Sequence, residues 1–160
     1  MDLACLGLAE CDGIGNINVS KFGPRIAGCG GFVNITQNTQ NVVFCGTFTT
    51  GKLKEEIKDG KLTIIQEGSV RKFVPSVDHI TFSGDYARKQ GQHVYYITER
   101  SVFEMKEDGI HLTEIAPGID LQKDVLDQMG FTPIMKDVKV MPEFIFKDEL
   151  MGLKEMKANR

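Results

Sequence analysis

Residues 23–31 read Gly-Pro-Arg-Ile-Ala-Gly-Cys-Gly-Gly, and the chain continues as Phe-Val-Asn-Ile-Thr-Gln. We call residues 23–31 the glycine segment, because three of its last four residues are glycine. Clustered glycines are typical of backbone that takes positive φ or approaches another group closely. The continuation predicts a helix that begins at Gly31 and carries Phe32 and Ile35 on one face.

The glycine segment allows two interpretations. A glycine turn that opens a helix presents free N–H groups and a positive dipole end, which suits an anion or a carbonyl oxygen. Arg25 would then bind a phosphate or carboxylate, and Cys29 would be a candidate reactive thiol. The alternative is a tight connection between a strand and a helix, with Cys29 as a small filling side chain and Arg25 as a solvated charge. A Walker-type phosphate loop is excluded, since no Gly-Lys-Ser/Thr is present.

Length and composition narrow the class of protein. The chain has 160 residues, 41% of them hydrophobic, which is typical of one globular domain or part of one. The net charge of −3 argues against nucleic-acid binding, and no apolar run is long enough for a membrane span. The four cysteines lack CxxC spacing and lie far from the three histidines, which argues against a metal site. We expect reduced thiols and a cytoplasmic location.

A β-α-β order is predicted for the first third of the chain. Leu3–Ala9 predicts a buried parallel strand, because apolar residues occupy both of its faces. Asn41–Thr47 predicts the next apolar strand, with the helix after Gly31 between the two. A buried strand needs cover on both edges, yet Leu3–Ala9 follows almost directly on the first residue. The sequence therefore predicts that this chain is the later part of a larger domain.

The remaining segments alternate between strand and helix patterns. Two Asp-Gly pairs predict β-hairpins, because this dipeptide favours turns with positive φ. Beyond Phe131 the patterns weaken, and the lysine-rich end is expected to fray. No linker or repeat divides the chain, so residues 1–160 are interpreted as one domain segment. The other predicted elements are strands at Ile17–Val19, Val77–Phe82 and Val94–Thr98, hairpins of Lys52–Lys58 with Lys61–Gln66 and of Val102–Met105 with Ile110–Ile115, and helices at Gly84–Gln90 and Asp120–Met129.

Carboxylates near strand ends are candidates for acid–base or nucleophilic chemistry, and ion pairing is the alternative for each. They are Glu10, Glu99 and Glu114, of which Glu99 is followed directly by Arg100. The three histidines are predicted to be surface or edge residues rather than catalytic ones. These residues alone do not identify a reaction.

The ordered set of segments resembles the C-terminal portion of family I coenzyme A transferases. It is similar in particular to single-chain short-chain acyl-CoA:acetate or propionate CoA-transferases, and also to the β half of 3-oxoacid CoA-transferases. The resemblance extends from Asp2 to about Leu153. The segments that carry it are Asp2-Leu3 with Leu6-Gly7 and Glu10, Gly28-Cys29-Gly30-Gly31-Phe32, Val42-Val43-Phe44, Ile97-Thr98-Glu99-Arg100 with Phe103, and Glu114-Ile115-Ala116-Pro117-Gly118-Ile119-Asp120.

The resemblance implies an α/β fold of the NagB/RpiA-like type: an open, mostly parallel sheet with helices on its faces and added β-hairpins, incomplete here. It implies transfer of CoA between an acyl-CoA and a short-chain carboxylic acid through a glutamyl-CoA thioester. The CoA thioester is then a substrate, and no separate cofactor or metal is expected. The residues expected to contact the thioester or its pantetheine arm are Arg25, Gly28, Cys29, Gly30 and Gly31.

This sequence departs from the family in one important respect. The nucleophilic glutamate of the family lies in a Glu-Asn-Gly or Glu-Ser-Gly type of motif, upstream of the segment that begins here. Glu67-Gly68-Ser69 is out of order and is predicted to lie in a hairpin arm. No catalytic residue is therefore expected in this chain, which is predicted to be inactive without the missing N-terminal half. Homo-oligomerisation is a second partner prediction.

Two other functions fit the residues. One is a non-catalytic α/β module that self-associates through the strand edge before Leu3. The other is a thioesterase-like enzyme that uses Glu10 or Glu99.

Overall fold

The computed structural model describes residues 1–154. Its α-helices are α1 (Phe32–Gln37) and α2 (Gly84–Lys89). Its strands are β1 (Leu3–Gly7), β2 (Glu10–Cys11), β3 (Ile17–Asn18), β4 (Lys21–Phe22), β5 (Arg25–Ile26), β6 (Asn41–Cys45), β7 (Thr49–Thr50), β8 (Lys54–Lys58), β9 (Lys61–Gln66), β10 (Val70–Arg71), β11 (His93–Ile97), β12 (Ser101–Lys106), β13 (Gly109–Ile115) and β14 (Ile134–Val140).

A six-stranded sheet organises the fold, in the order β1-β6-β11-β12-β13-β14. The pairs β1–β6, β6–β11 and β13–β14 are parallel, whereas β12 is antiparallel to both of its neighbours. The predicted mostly parallel α/β sheet is therefore confirmed, including the β1-α1-β6 order. Its helices are fewer and shorter than expected, since α1 and α2 have six residues each.

An aromatic cluster fills the core on one face of this sheet. The ring of Phe44 in β6 lies 5.6 Å from that of Phe32, 5.0 Å from that of Phe82 and 5.6 Å from that of Tyr96. Because Phe32 begins α1, this stacking fixes the helix against the sheet directly after the glycine segment.

The position of β1 differs from the prediction of a strand buried on both faces. β1 lies at one edge of the sheet, and Ala4 is the only one of its five residues that is buried. The reason is that, among residues 1–154, no strand pairs with its outer edge.

Both predicted hairpins form. In the β8–β9 hairpin, Asp59 and Gly60 take φ values of 52° and 75°, the paired positive φ of a type I′ turn. The β12–β13 hairpin forms the antiparallel part of the central sheet. Strand β11 and helix α2 also lie where the sequence predicts them, within one residue.

Two predicted elements need correction, and one strand is absent from the predictions. The segment Val77–Phe82 is not a strand and makes a single bridge, between Phe82 and Ile17. The helix predicted for Asp120–Met129 is irregular, with a π-helical turn at Leu121–Val125 and a 3₁₀ turn at Leu126–Gln128. Strand β14 was not predicted, and a 3₁₀ turn follows it at Glu143–Phe146. The lysine-rich end at 155–160 lies outside the described residues.

In residues 1–154 no helix has the length and apolar character needed to cross a membrane. All four cysteines are free; Cys11 is buried, and Cys5, Cys29 and Cys45 are exposed.

Candidate functional site

The glycine segment forms a small hairpin followed by an open turn. Strands β4 and β5 pair across Gly23-Pro24, a hairpin that the sequence did not predict. Gly28 and Gly30 take φ values of 79° and 52°, which L-residues rarely adopt. The prediction that these clustered glycines supply positive φ is therefore confirmed for two of the three.

The whole glycine segment is exposed to solvent. A Cβ atom added to Gly28 or Gly30 would meet no atom within 4 Å, so crowding by the described residues does not explain these glycines. Ile26 is 78% exposed, unusual for a large apolar side chain. The segment thus presents backbone and one apolar side chain to open space, where a ligand has room to approach.

Buried polar residues hold the base of the glycine segment. The carbonyl oxygen of Ser20 accepts hydrogen bonds from the amides of Ala27 (2.8 Å) and Gly28 (3.1 Å). The Ser20 hydroxyl lies 2.7 Å from that of Thr81, and the Ser20 amide donates to the side-chain oxygen of the buried Asn18 (3.0 Å). These bonds fix where the segment leaves the core, although its tip is free.

Glu10, a candidate catalytic carboxylate, supports this base. Its Oε2 accepts from Asn18 Nδ2 at 2.7 Å. The carboxylate of Asp78 accepts from the amide of Gly23 at 2.7 Å and so fixes the hairpin turn. Asn18 and Asp78 were not identified from the sequence, since each acts on residues that only the fold brings close.

The start of α1 leaves backbone donors available. Phe32 N donates to the carbonyl of Cys29 at 3.0 Å, but the amides of Gly30 and Gly31 have no acceptor in residues 1–154. The helix is so short that few peptide dipoles add along it, so the dipole part of the prediction carries little weight. The backbone amides of Gly30 and Gly31, rather than the helix dipole, are what the turn offers to an anion or a carbonyl oxygen.

The predicted face of α1 is half correct. Phe32 is buried, but Ile35 is 38% exposed, and Thr36 is the second buried residue. At the other end of the helix, Gln92 Nε2 donates to the carbonyls of Thr36 (2.8 Å) and Thr39 (2.5 Å). These bonds, together with the Phe32–Phe44 stack, hold both ends of α1.

A second charged cluster surrounds Arg100, whose side chain is fully buried. Its Nη1 lies 2.7 Å from Glu67 Oε2, and its Nε lies 2.7 Å from Glu99 Oε1. The guanidinium also lies 4.9 Å from the ring centroid of Phe48, whose amide donates to Glu99 at 2.8 Å. The cluster ties the end of β9 to the turn between β11 and β12.

This cluster changes the interpretation of two carboxylates. Glu99 is engaged by Arg100 and by the Phe48 amide, so the ion-pairing alternative holds for it. Glu67 directly follows β9 and so lies just beyond the hairpin arm in which the sequence placed it. Burial raises the Glu67 pKa, but hydrogen bonds from Arg100 and Thr49 outweigh that effect and hold the pKa below its ordinary value. Glu67 is thus an ionised structural partner of Arg100.

The remaining candidate residues are dispersed. Glu114 is half-buried near the end of β13, which agrees with its predicted position near a strand end. Arg25 is exposed on β5 and makes no ion pair within the described part of the chain. His79 and His93 are exposed, as predicted. His111 is buried, contrary to the prediction, because β13 lies between β12 and β14, with His111 opposite Glu104 on one side and Ile134 on the other. Its Nε2 lies 2.6 Å from Asp108 Oδ1. No group of residues that could bind a metal ion is present within residues 1–154.

Comparison with known proteins gives long, strong matches. The chain is 53% identical over 153 residues to acetate CoA-transferase YdiF of Escherichia coli strain K12, covering 95% of this chain and 29% of that protein. It is 52% identical over 159 residues to caffeate CoA-transferase of Acetobacterium woodii, covering 96% and 30%. The crystal structure of the YdiF apoenzyme from Escherichia coli O157:H7 matches with a TM-score of 0.93, at 53% identity, over 95% of this chain and 30% of that one. This chain is related to the family I CoA-transferases.

The match is to a segment of these enzymes. The chain spans about 30% of the length of the curated CoA-transferases that it matches. No model of a known protein family matches the sequence. Glutaconate CoA-transferase from Acidaminococcus fermentans shares only the fold, with a TM-score of 0.64 at 18% identity over 88% of this chain and 53% of that one.

Proposed function

We propose that this chain is the C-terminal part of a CoA-transferase that moves CoA between a short-chain acyl-CoA and a carboxylic acid. The observation that carries the proposal is the exposed glycine segment, whose Gly30 and Gly31 amides have no acceptor within the described residues, in a chain 53% identical to an acetate CoA-transferase. The nucleophilic glutamate belongs to polypeptide outside this chain. The proposed location is the cytoplasm. The proposed reaction uses the CoA thioester as substrate and needs no separate cofactor.

The proposed reaction proceeds through covalent exchange on that glutamate. Its carboxylate attacks the thioester carbonyl, expels CoA as a thiolate and forms an acyl–glutamyl anhydride. The CoA thiolate then attacks the glutamyl carbonyl, forms the glutamyl-CoA thioester and releases the first carboxylate. The acceptor carboxylate repeats these steps in reverse, and the glutamate is regenerated. Each addition places negative charge on a carbonyl oxygen.

The role proposed for the glycine segment is to stabilise that charge. Backbone amides held at a fixed position before the reaction are effective oxyanion donors, because they need not reorganise. The amides of Gly30 and Gly31 lack acceptors among residues 1–154, and the hydrogen bonds that the Ser20 carbonyl accepts from the amides of Ala27 and Gly28 fix the base of the turn. Arg25, on β5 before the turn, and Cys29, within it, are proposed to contact CoA.

The acyl and acceptor acids are proposed only as a class. The relatives at 53% and 52% identity are named for acetate and caffeate, acids of very different size. Because this chain is about equally similar to both enzymes, its residues are not expected to determine which of the two acids is used. The residues that shape the acyl pocket are therefore proposed to lie mainly outside this chain.

A chimera tests the proposal. The segment of Escherichia coli YdiF that matches this chain is replaced by this chain, and CoA transfer from acetyl-CoA to propionate is measured. We expect an active chimera. Gly30→Ala keeps the amide but disfavours the φ of 52° at this residue, so the turn should relax and move the donor out of position, lowering kcat by about 10²-fold, as for loss of one oxyanion donor. A Gly30→Ala chimera with unchanged kcat contradicts the proposed role of the turn.

Gly91 supplies the matched control. Like Gly30 it has positive φ (65°), and a Cβ there meets no atom within 4 Å. Gly91→Ala imposes the same backbone strain in the connection between α2 and β11, so it should leave kcat unchanged. An equal loss in both variants would assign the effect to strain.

The second candidate function is self-association without catalysis. It is favoured by the outer edge of β1, with which no strand of residues 1–154 pairs. This candidate predicts a stable oligomer of the isolated chain that does not bind acyl-CoA. Light scattering together with acetyl-CoA titration separates the two functions.

A further inference from the structure

The turn that carries the backbone donors is short and is held at both of its ends. We call the segment from Gly28 to Phe32 the donor turn, since it includes the Gly30 and Gly31 amides. At its start, the amide of Gly28 donates to the carbonyl oxygen of Ser20 at 3.1 Å. At its end, the side chain of Phe32 is buried in the aromatic core. Because only three residues separate Gly28 from Phe32, a displacement of either end moves the donors.

One aromatic ring contributes to the position of both ends. The centroid of the Phe44 ring lies 5.6 Å from that of Phe32, at the end of the donor turn. It also lies 5.0 Å from that of Phe82, in an edge-to-face arrangement. The amide and the carbonyl of Phe82 each form a hydrogen bond of 3.0 Å with Ile17. The residue that precedes Phe82 is therefore held against the same core as Phe32.

That residue, Thr81, connects the core to the start of the donor turn. Its amide donates to the carbonyl oxygen of Ile17 at 2.8 Å. Its Oγ1 accepts a hydrogen bond from the amide of Val19 at 3.1 Å and lies 2.7 Å from the hydroxyl of Ser20. The Thr81 hydroxyl thus fixes two consecutive residues, and the second of them accepts the hydrogen bond from the donor turn.

The hydroxyl of Thr81, rather than its shape, makes this connection. Valine has nearly the shape of threonine but neither donates nor accepts a hydrogen bond. Thr81→Val would therefore deprive the amide of Val19 of its acceptor and the buried hydroxyl of Ser20 of its partner. Serine at the same position would keep both contacts. The carboxylate of Asp78 still accepts from the amide of Gly23 in either variant, so the hairpin before the donor turn keeps its own anchor.

We propose that Thr81 is a positioning residue for the transferase reaction. It acts through Ser20 and holds the donor turn where the Gly30 and Gly31 amides meet the oxygen that becomes negatively charged. Thr81 itself contacts no reacting atom. This inference rests on the proposed function for the identity of the reaction, whereas the anchoring of the turn is measured without catalysis.

Hydrogen exchange of the isolated chain, followed by NMR, measures the anchoring. The amides of Ala27 and Gly28 both donate to the carbonyl oxygen of Ser20, so their exchange rates report on it. We expect Thr81→Val to speed the exchange of both amides by about tenfold, as for the loss of one or two hydrogen bonds. Thr81→Ser keeps the hydroxyl, and both rates should stay within about twofold of those of the native chain.

Thr113 supplies the matched control. It is half-buried like Thr81, and its hydroxyl donates to the carbonyl oxygen of Val102 at 3.1 Å in the β12–β13 hairpin. Thr113→Val removes one hydroxyl of the same kind without touching the contacts of the glycine segment. It should leave the exchange of Ala27 and Gly28 unchanged. Equal effects of the two valine variants would show a general loosening of the chain and overturn the proposal.

Kinetics of the YdiF chimera measure the effect on the reaction. Thr81→Val should lower kcat for CoA transfer from acetyl-CoA to propionate by about tenfold and leave KM for acetyl-CoA within about twofold. The reason is that a misplaced donor weakens binding of the charged transition state and not of the substrate. Thr81→Ser should retain the native kcat. A raised KM with unchanged kcat would assign Thr81 to substrate binding and overturn the positioning role.

The outcomes separate this inference from the proposed function. Faster exchange of the Ala27 and Gly28 amides in Thr81→Val, together with an inactive parent chimera, supports the anchoring and contradicts the proposed function. An active chimera in which Thr81→Val changes neither exchange nor kcat overturns this inference alone. If Thr81→Val does not fold, as judged by circular dichroism, Ser20→Ala removes the contact between the two hydroxyls and keeps the carbonyl. Unchanged exchange and kcat in that variant also overturn the inference.

Discussion

Arg100 carries a full positive charge on a side chain with no exposed surface. A buried charge is tolerated only when opposite charges and hydrogen bonds compensate for lost hydration, and Glu67 and Glu99 supply both. We predict that Arg100→Met lowers the free energy of unfolding by about 3 kcal/mol, because it leaves two partly buried carboxylates without their partner. Urea unfolding followed by circular dichroism measures this change.

Arg25→Met is the control for that substitution. Arg25 is exposed and makes no ion pair among residues 1–154, so its replacement should change the free energy of unfolding by less than about 0.5 kcal/mol. Equal effects of the two substitutions would show that the Arg100 cluster contributes nothing specific.

The lowered pKa of Glu67 predicts that the free energy of unfolding decreases in acid. Its pKa is lower in the folded chain than in the unfolded one, so its contribution is fully present above its unfolded pKa. That contribution is lost as pH falls below about 4.5 and through the lower folded pKa. We expect the free energy of unfolding to fall less steeply between pH 5 and 3 in Glu67→Gln than in the native chain. Asp108, whose pKa the hydrogen bond from His111 lowers, acts in the same range in both proteins, so the difference between the curves reports Glu67. Parallel curves would contradict the assignment.

The interactions of single residues are predictable from the sequence where the two partners are adjacent in the chain. Glu99 and Arg100 are neighbours in the sequence, so their ion pair is predictable from it. Glu67 lies 33 positions from Arg100, and no local pattern links the two. Positive φ at Gly28 and Gly30 was predictable from composition, since few other residues adopt it. The anchor of the segment, Ser20 with Thr81, spans 61 positions and only the fold reveals it.

Helix α2 depends on a close backbone approach at its first residue. A Cβ added to Gly84 would lie 2.3 Å from the carbonyl oxygen of Ile14, and backbone there cannot move away as a flexible side chain would. We predict that Gly84→Ala lowers the free energy of unfolding by about 2–3 kcal/mol, the range for overpacking in a fixed site. Thermal unfolding measures this loss, and Gly7→Ala in β1, where a Cβ meets nothing within 4 Å, should cost almost nothing. A stable Gly84→Ala chain would mean that α2 shifts freely.

Elements with a strong local signal were predicted, and elements defined by their neighbours were not. The Asp-Gly turn of the β8–β9 hairpin has a steric cause within two residues. Strand β14 is polar along most of its length and forms because β13 pairs with it in parallel, which no local pattern encodes. Val77–Phe82 has strand-forming residues, but only Phe82 pairs, with Ile17, so the segment stays irregular.

The described part of the molecule is a six-stranded sheet with the aromatic core packed against one of its faces. The β1-α1-β6 order and the strand pattern were sufficient for the fold class, because short right-handed connections leave few ways to arrange them. The edge position of β1 and the uncovered face could not be predicted from strand composition. Composition shows that a strand needs neighbouring strands and cover on its faces, but not whether residues 1–154 provide them. Apolar residues on both faces of β1 and β6 still indicated cover that residues 1–154 do not provide.

The proposed location of the nucleophilic glutamate outside this chain predicts that the isolated chain transfers no CoA. In the proposed reaction, the donors at Gly30 and Gly31 stabilise charge only after a nucleophile has attacked. The carboxylates of Glu10, Glu67 and Glu99 are engaged by other residues. The remaining candidate, Glu114, lies half-buried on β13 in the concavity that Lys136 and Lys139 also line. We expect purified chain incubated with acetyl-CoA and propionate to form no propionyl-CoA above the uncatalysed rate, as measured by chromatography of the CoA esters. The chimera with YdiF serves as the positive control in the same assay. Turnover by the isolated chain that persists in Cys29→Ala would place a nucleophile within these 160 residues and contradict the proposed division of the site.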